Sequence, residues 1–398
     1  MFSFLALWYA PSTSYTTSWR KETSATTTST SKDDQAWRQL LQSVRESDQP
    51  RPASSSRRSS RLGVFDDIFV VSLKKREDRR TKLDTVRRAL GLEWTYVYAT
   101  EGGDPGVSRI LDQLRSVRAN HTAKDFVWPR VVIPPTATPD APFPMAGAEL
   151  WSLDPSDPRA PAPVSPSKSK GSNGNEWLPE TFVGDYTAFA PGKGTLMNRP
   201  RIATFLSHMH LVRRIADAPS PDYAALILED DVDIDWHAEQ RLRRLWEAQA
   251  LPKDWDMLYL GHCPPIAKDD ARTSEAHFQP LNGAPGVRPS YGPWCTHAYA
   301  LSRDGARRVL TQLRYELFAF SRPVDNAYVH LVLNKRVKSF TFLPPLVVQM
   351  RDGVSDIWGL DMTGLDVTKD DLEDSTLERI ALASKQEQSA ADTLDLRT

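Results

Sequence analysis

Residues 223–228 read Tyr-Ala-Ala-Leu-Ile-Leu, and the run stops abruptly at Glu229, Asp230, Asp231, Val232 and Asp233. A run this short and this uniformly apolar is a strand buried on both faces. Such a strand needs a covering layer above and below it, which points to an α/β sheet flanked by helices. Counting Asp235, five acids fall within seven positions at its end. Their mutual repulsion raises their pKa values unless a cation compensates.

The flanking sequence agrees with an α/β sheet. Residues 68–73 form a first apolar strand. A helix follows with Leu83, Val86 and Leu90 on one face and Gly91 as its stop, and residues 94–99 form a second strand. Ile202, Phe205, Leu206, Met209, Val212 and Ala216 keep helical spacing ahead of the acidic strand. Beyond it the pattern predicts a helix at 238–248, strands at 257–260 and 296–301, and a helix from the N-cap Ser302 to about Leu313. A short helix after Pro323 and a strand at 337–342 follow. Residues 1–64 read as a Ser-, Thr- and Arg-rich tail or stem. Residues 65–358 form the domain, with a Pro- and Ser-rich surface insertion at 134–180, and residues 359–398 read as a polar tail.

Composition narrows the function classes. A net charge of -1 gives no general sign of a nucleic-acid partner. Two cysteines and eight scattered histidines are too few for a zinc site of the usual kind. Cys263 and Cys295 follow one strand and precede another. They would either close the intervening loop as a disulfide, which fits a secretory compartment, or remain two buried thiols. Asn120-His121-Thr122 is a glycosylation sequon consistent with that compartment. The opening residues, MFSFLALWYA, are too few to span a bilayer and lack a basic start. They read as a signal-like segment, the end of a membrane tether, or a disordered terminus.

Three readings of the acidic cluster compete. An EF-hand loop starting at Asp231 fails, because Trp236 stands where Gly is needed and Leu242 where Glu is needed. The acids could cap the next helix, near residues 236–239, where negative charge suits the N-terminus. They could also hold Mg2+ or Mn2+ against a diphosphate, since hard oxygen donors select such ions. Their place at the carboxyl end of a strand favours a ligand site.

Six segments in order resemble the family 25 glycosyltransferases, which include lipooligosaccharide and collagen hydroxylysine galactosyltransferases. These are residues 68–80, the Leu206-Ser207-His208 helix, 225–231 and 255–261. The last two are 296–302 with Gly305-Ala306, and Pro323-Val324-Asp325. Ser72 stands where the family usually has Asn, and residues 100–195 have no counterpart in the resemblance. The resemblance implies a GT-A-like, Rossmann-like mixed sheet, a UDP-sugar donor (most commonly UDP-galactose), and inverting transfer of the hexose to a glycan or protein hydroxyl.

On this reading Glu229 and Asp231 are the first candidates for the metal, with Asp233 a close competitor. Asp230 turns towards the sugar or ribose. Ser72, Arg76, Arg79, His208 and His297 are candidates for donor binding, while Arg80 and Lys82 are read as solvated. Asp325 is the candidate general base and His262 its alternative. For Asp325 the competing role is an N-cap; for the two histidines it is a satisfied core position. The expectation is an ER or Golgi lumenal, metal-assisted hexosyltransferase. The alternative is a catalytically silent domain of the same fold that binds glycans or partners.

Overall fold

The computed structural model describes residues 59–120, 126–129, 197–263, 286–315, 317–350, 353, 356 and 372–395. In chain order, β1 (Asp67–Ser72), α1 (Glu77–Leu90) and β2 (Thr95–Tyr98) open the domain, and α2 (Pro105–Asn120) and α3 (Arg199–Ala216) follow. Next come β3 (Ala224–Glu229), β4 (Val232–Ile234), α4 (Ala238–Glu247), β5 (Met257–Cys263), β6 (Val287–Pro289) and β7 (Trp294–Ser302). The described part ends with α5 (Arg303–Leu313), α6 (Val324–Leu333), β8 (Ser339–Phe342), β9 (Val347–Gln349) and α7 (Thr376–Asp395).

Seven strands form one mixed sheet in the order β2-β1-β3-β7-β5-β8-β6. β1 runs parallel to both β2 and β3, and β7 runs antiparallel to β3 and β5. The apolar run at β3 is central, as its composition predicts. Alternate residues of β3 enter two separate cores. Ala225 and Ile227 join the core made with α2, α3, α5 and α6. Leu226 and Leu228 join the core made with α1, α4, α7 and β9. The architecture is therefore a mixed α/β sheet flanked by helices on both faces, compatible with a Rossmann-like fold.

The topology decides where a ligand can sit. From β1 the chain crosses to β2 on one side and later returns to β3 on the other. The order of connection thus reverses between β1 and β3, and the carboxyl ends of these strands open a crevice there. Because β7 is antiparallel, its beginning lies at the same sheet edge, as does the end of β5.

Several local expectations hold. Gly91 ends α1 at φ 65°, and Ser302 caps α5 by accepting from the Gly305 N–H at 3.0 Å. Others need correction. Within the expected polar tail, residues 376–395 form a helix that packs Leu377, Ile380 and Ala383 on the second core. Ser375 caps it, with Oγ accepting from the Glu378 N–H at 3.0 Å. Ser375-Thr376-Leu377-Glu378 is a capping-box sequence that marks this start. Arg80 is not solvated: it donates to Ser72 Oγ and to the carbonyls of Leu73 and Lys74. The opening segment 1–58 and the insertion at 134–180 lie outside the described residues. No described helix is long and apolar enough to cross a membrane.

Candidate functional site

The acids after β3 divide into two groups with different work. Asp233 lies in β4, paired antiparallel with β9, and its carboxylate faces the start of α7. It accepts from Ser375 Oγ at 2.5 Å, from the Leu377 N–H at 3.3 Å and from the Ile234 N–H at 2.8 Å. Asp235 accepts from the His237 N–H at 2.9 Å and from Arg241 just ahead of α4, whose N-cap, His237, has no side-chain capping bond. Asp233 is thus committed to holding α7, which removes it from the metal-ligand candidates.

Glu229, Asp230 and Asp231 stay at the crevice. Arg79, on the first turn of α1, reaches across with one nitrogen to Asp230 at 3.0 Å and to Asp231 at 2.9 Å. Gln349 Nε2 lies 3.4 Å from both Asp231 oxygens. Burial, reinforced by the neighbouring Glu229 and Asp230 charges against the pull of Arg79, pushes the Asp231 carboxyl up to about 7. Burial also raises Asp230, although Ser72 and Arg79 oppose it. One carboxyl near neutrality beside two other acids is the signature of a site short of positive charge.

Glu229 faces the first core's side of the sheet and is anchored from behind. Thr296 Oγ1 donates to it at 2.6 Å, and His208 Nε2 lies 3.5 Å away. His208 Nδ1 is 2.9 Å from the Tyr299 hydroxyl, which is 3.1 Å from the Tyr328 hydroxyl. Burial would raise Glu229, but His208 and Thr296 hold it below the usual carboxylate range. His208 is 1% exposed and His297 equally so. Both rings lie in the buried surroundings of Glu229, His208 beside its carboxylate and His297 against Gly261 of β5.

Gly261 explains part of this packing. A side chain there would stand 1.8 Å from the Val347 carbonyl and 2.6 Å from His297 Nε2. Only glycine lets β9 and the histidine approach β5 so closely. His262, one residue on, turns Nδ1 to the Cys263 carbonyl at 2.9 Å. Cys263 and Cys295 are joined as a disulfide, Cα to Cα 5.5 Å.

Asp325 sits in the first turn of α6 and accepts from the Asn326 N–H at 2.7 Å. Burial raises its carboxyl; the Glu229 charge adds to this and Arg201 opposes it. Glu229, Arg201 and Asp325 therefore share one electrostatic neighbourhood, so the structure brings the proposed base towards the acidic crevice. Beside it, the Tyr259 hydroxyl and Asn326 Oδ1 are buried and have no hydrogen-bond partner among the described residues. Buried polar atoms are rarely left so, and both are suited to a water or a substrate hydroxyl. Sequence reasoning missed Arg201, Tyr259, Thr296 and Gln349. Each is an ordinary helix or strand residue by type and is singled out only by what the fold places beside it.

The acids at the crevice offer only part of a divalent-ion shell. Among the described residues no three acids bring carboxylate oxygens together within 4.8 Å; the one such grouping of donor residues is Cys263, Cys295 and His297, whose two sulfurs are bonded to each other. The carboxylates are the right chemistry for Mg2+ or Mn2+, which commonly take one or two protein carboxylates and complete their shell with phosphate oxygens and water. Asp231 with Asp230 or Glu229 fits that partial set, provided Arg79 yields its place or shares it. Arg76, a donor-binding candidate, pairs with Asp78 at 2.9 Å and with Asp356 at 2.7 Å. Ser72 is 2% exposed and supports Asp230 and Arg80 from behind.

No protein-family model matches the chain. Two curated proteins are similar to it. Inactive glycosyltransferase 25 family member 3 of Homo sapiens is 30% identical over 122 residues, which is 30% of this chain and 19% of that protein. Probable inactive glycosyltransferase 25 family member 3 of Rattus norvegicus matches with the same identity and the same coverage. The match spans about a fifth of the length of these relatives. The likeness is thus distant and partial, and it supports a glycosyltransferase-like domain related to family 25, at most.

Proposed function

We propose that this chain is a family 25-type glycosyltransferase of GT-A-like fold that transfers a hexose from a UDP-sugar to a hydroxyl of a glycan or protein. The observation that carries this reading is the crevice between β1 and β3. There Glu229, Asp230 and Asp231 end the central strand, Arg79 bridges two of them, and one carboxyl is held near neutrality for want of positive charge. A Mg2+ or Mn2+ ion held by Asp231 with Asp230 or Glu229 would neutralise the departing diphosphate. Arg79 adds a second cation for the phosphates. Asp325 takes the proton from the acceptor hydroxyl, a role suited to a carboxylate whose pKa burial has raised. Inversion and a galactosyl donor follow the family resemblance. A secretory compartment agrees with the Cys263–Cys295 disulfide.

The second reading is a silent domain that binds rather than transfers. The word inactive in both relatives' names and the Arg79 clamp across Asp230 and Asp231 favour it. Release of UDP from UDP-galactose, UDP-glucose and UDP-N-acetylhexosamines, with and without EDTA, separates the two. EDTA-sensitive turnover with any of them supports the transferase. Donor binding without turnover, with or without added acceptors, supports the silent domain.

A further inference from the structure

Tyr98 ends β2, the edge strand beside β1, and its side chain is conspicuous. It is 60% exposed, whereas most large apolar and aromatic side chains of the sheet are buried. Register places it opposite Ser72, while the preceding residue, Val71, faces Glu229 across the other side of β1. Neighbouring strands lie about 4.8 Å apart, so Tyr98 stands roughly 10 Å across the sheet edge from Glu229. The carboxyl ends of β2, β1 and β3 thus form one row, with an aromatic ring at one end and the acids with Arg79 at the other.

The ring is also held in place. The Arg80 guanidinium lies 5.5 Å from its centroid, and that arginine is itself fixed by Ser72 Oγ and the carbonyls of Leu73 and Lys74. The chain leaving Tyr98 is pinned in turn. The Ala99 N–H donates to the Ser72 carbonyl at 2.9 Å, and the Thr100 N–H donates to Ser207 Oγ at 2.9 Å. A pre-set ring loses little freedom when a flat ligand stacks on it. This arrangement matches a molecule with a planar head, a short spacer and a diphosphate.

We infer that Tyr98, backed by Arg80, is the stacking surface for the base of a nucleoside diphosphate whose phosphates lie at Arg79 and Asp231. The assignment rests on the donor reading above and adds to it the residue that recognises the base. It is tested by calorimetric titration of the full chain, in Mn2+ buffer, with UDP and separately with inorganic pyrophosphate, for the wild type, Tyr98→Ala and Tyr98→Phe. Loss of one base–aromatic stack weakens binding about tenfold or more. The expected result is that Tyr98→Ala loses about that much affinity for UDP and none for pyrophosphate, while Tyr98→Phe stays close to the wild type. The melting temperature is expected to hold, since the side chain is largely exposed. Unchanged UDP affinity in Tyr98→Ala, or an equal loss for UDP and pyrophosphate, overturns the stacking role and leaves the donor reading standing. A wild-type chain that binds no UDP overturns both.

Discussion

Asp325 and Asp231 carry the sharpest consequences of the proposal. Asp325→Asn keeps the Asn326 backbone contact available and removes the base. The expected loss in turnover is about 10²- to 10⁴-fold with little change in donor affinity, measured as kcat and KM for the UDP-sugar that proves active. A matching loss in His262→Ala with Asp325→Asn unaffected would move the base to His262. Arg79→Ala tests the clamp from the other side. It leaves Asp230 and Asp231 uncompensated, so the apo protein should be less stable while its response to Mn2+ grows. Sequence alone singled out the acids, Arg79 and Asp325 as candidates by type and place. It set Asp231 only narrowly ahead of Asp233, because alternation along an extended chain puts both on one side. What divides them is α7, whose start claims Asp233 through two hydrogen bonds, from Ser375 Oγ and the Leu377 N–H.

The β5–β7 pair and α7 show which elements were readable and which were not. Residues 255–261 and 296–306 recur as motifs of the resemblance, and the structure shows them gripping each other. Ser302 Oγ donates to the Trp255 carbonyl at 2.7 Å, and a side chain at Gly305 would stand 2.1 Å from the Asp256 carbonyl. Much of that motif signal therefore reports packing rather than chemistry. The disulfide adds a covalent link where β5 and β7 part. Its loop of 32 positions corresponds to a stabilisation of about 4 kcal/mol in the chain-entropy model. Cys263→Ser with Cys295→Ser should lose about that much in denaturant unfolding, and reductant should do the same to the wild type. Helix α7 was hidden because its apolar stripe is thin and its face is charged; the capping box at Ser375 was its one clear mark. Asp233→Ala should cost about 2 kcal/mol through the lost cap and buried hydrogen bonds. Mn2+ binding should be unaffected, and a lost Mn2+ response would return Asp233 to the ligand set.

Stability of the molecule as a whole is tied to the charge deficit at the crevice. Asp231 titrates near 7 in the folded chain against an ordinary value of 3.8. Between these values the folded state binds more protons than the unfolded one, so stability falls as pH rises. The contribution is fully present below about pH 4 and is lost as pH passes 7. Asp230 and Asp325 are raised too and act in the same direction, while Glu229, held low, opposes them at the acid end. A divalent ion binds only the deprotonated carboxylates and so restores at high pH what the acids lose. The melting temperature without metal should therefore decline from pH 5 to pH 8. Mn2+ should raise it little at pH 5 and several degrees at pH 8, and Asp231→Asn should flatten both curves. Calorimetric scans at the two pH values, with EDTA or Mn2+, read this directly. A Mn2+ response equal at both pH values, or one surviving Asp231→Asn, would place the ion elsewhere. The fold class followed from one apolar strand and its flanks, but this linkage did not. It needs the three-dimensional convergence of β3, α1 and β9, through Asp231, Arg79 and Gln349, that no spacing along the chain reveals.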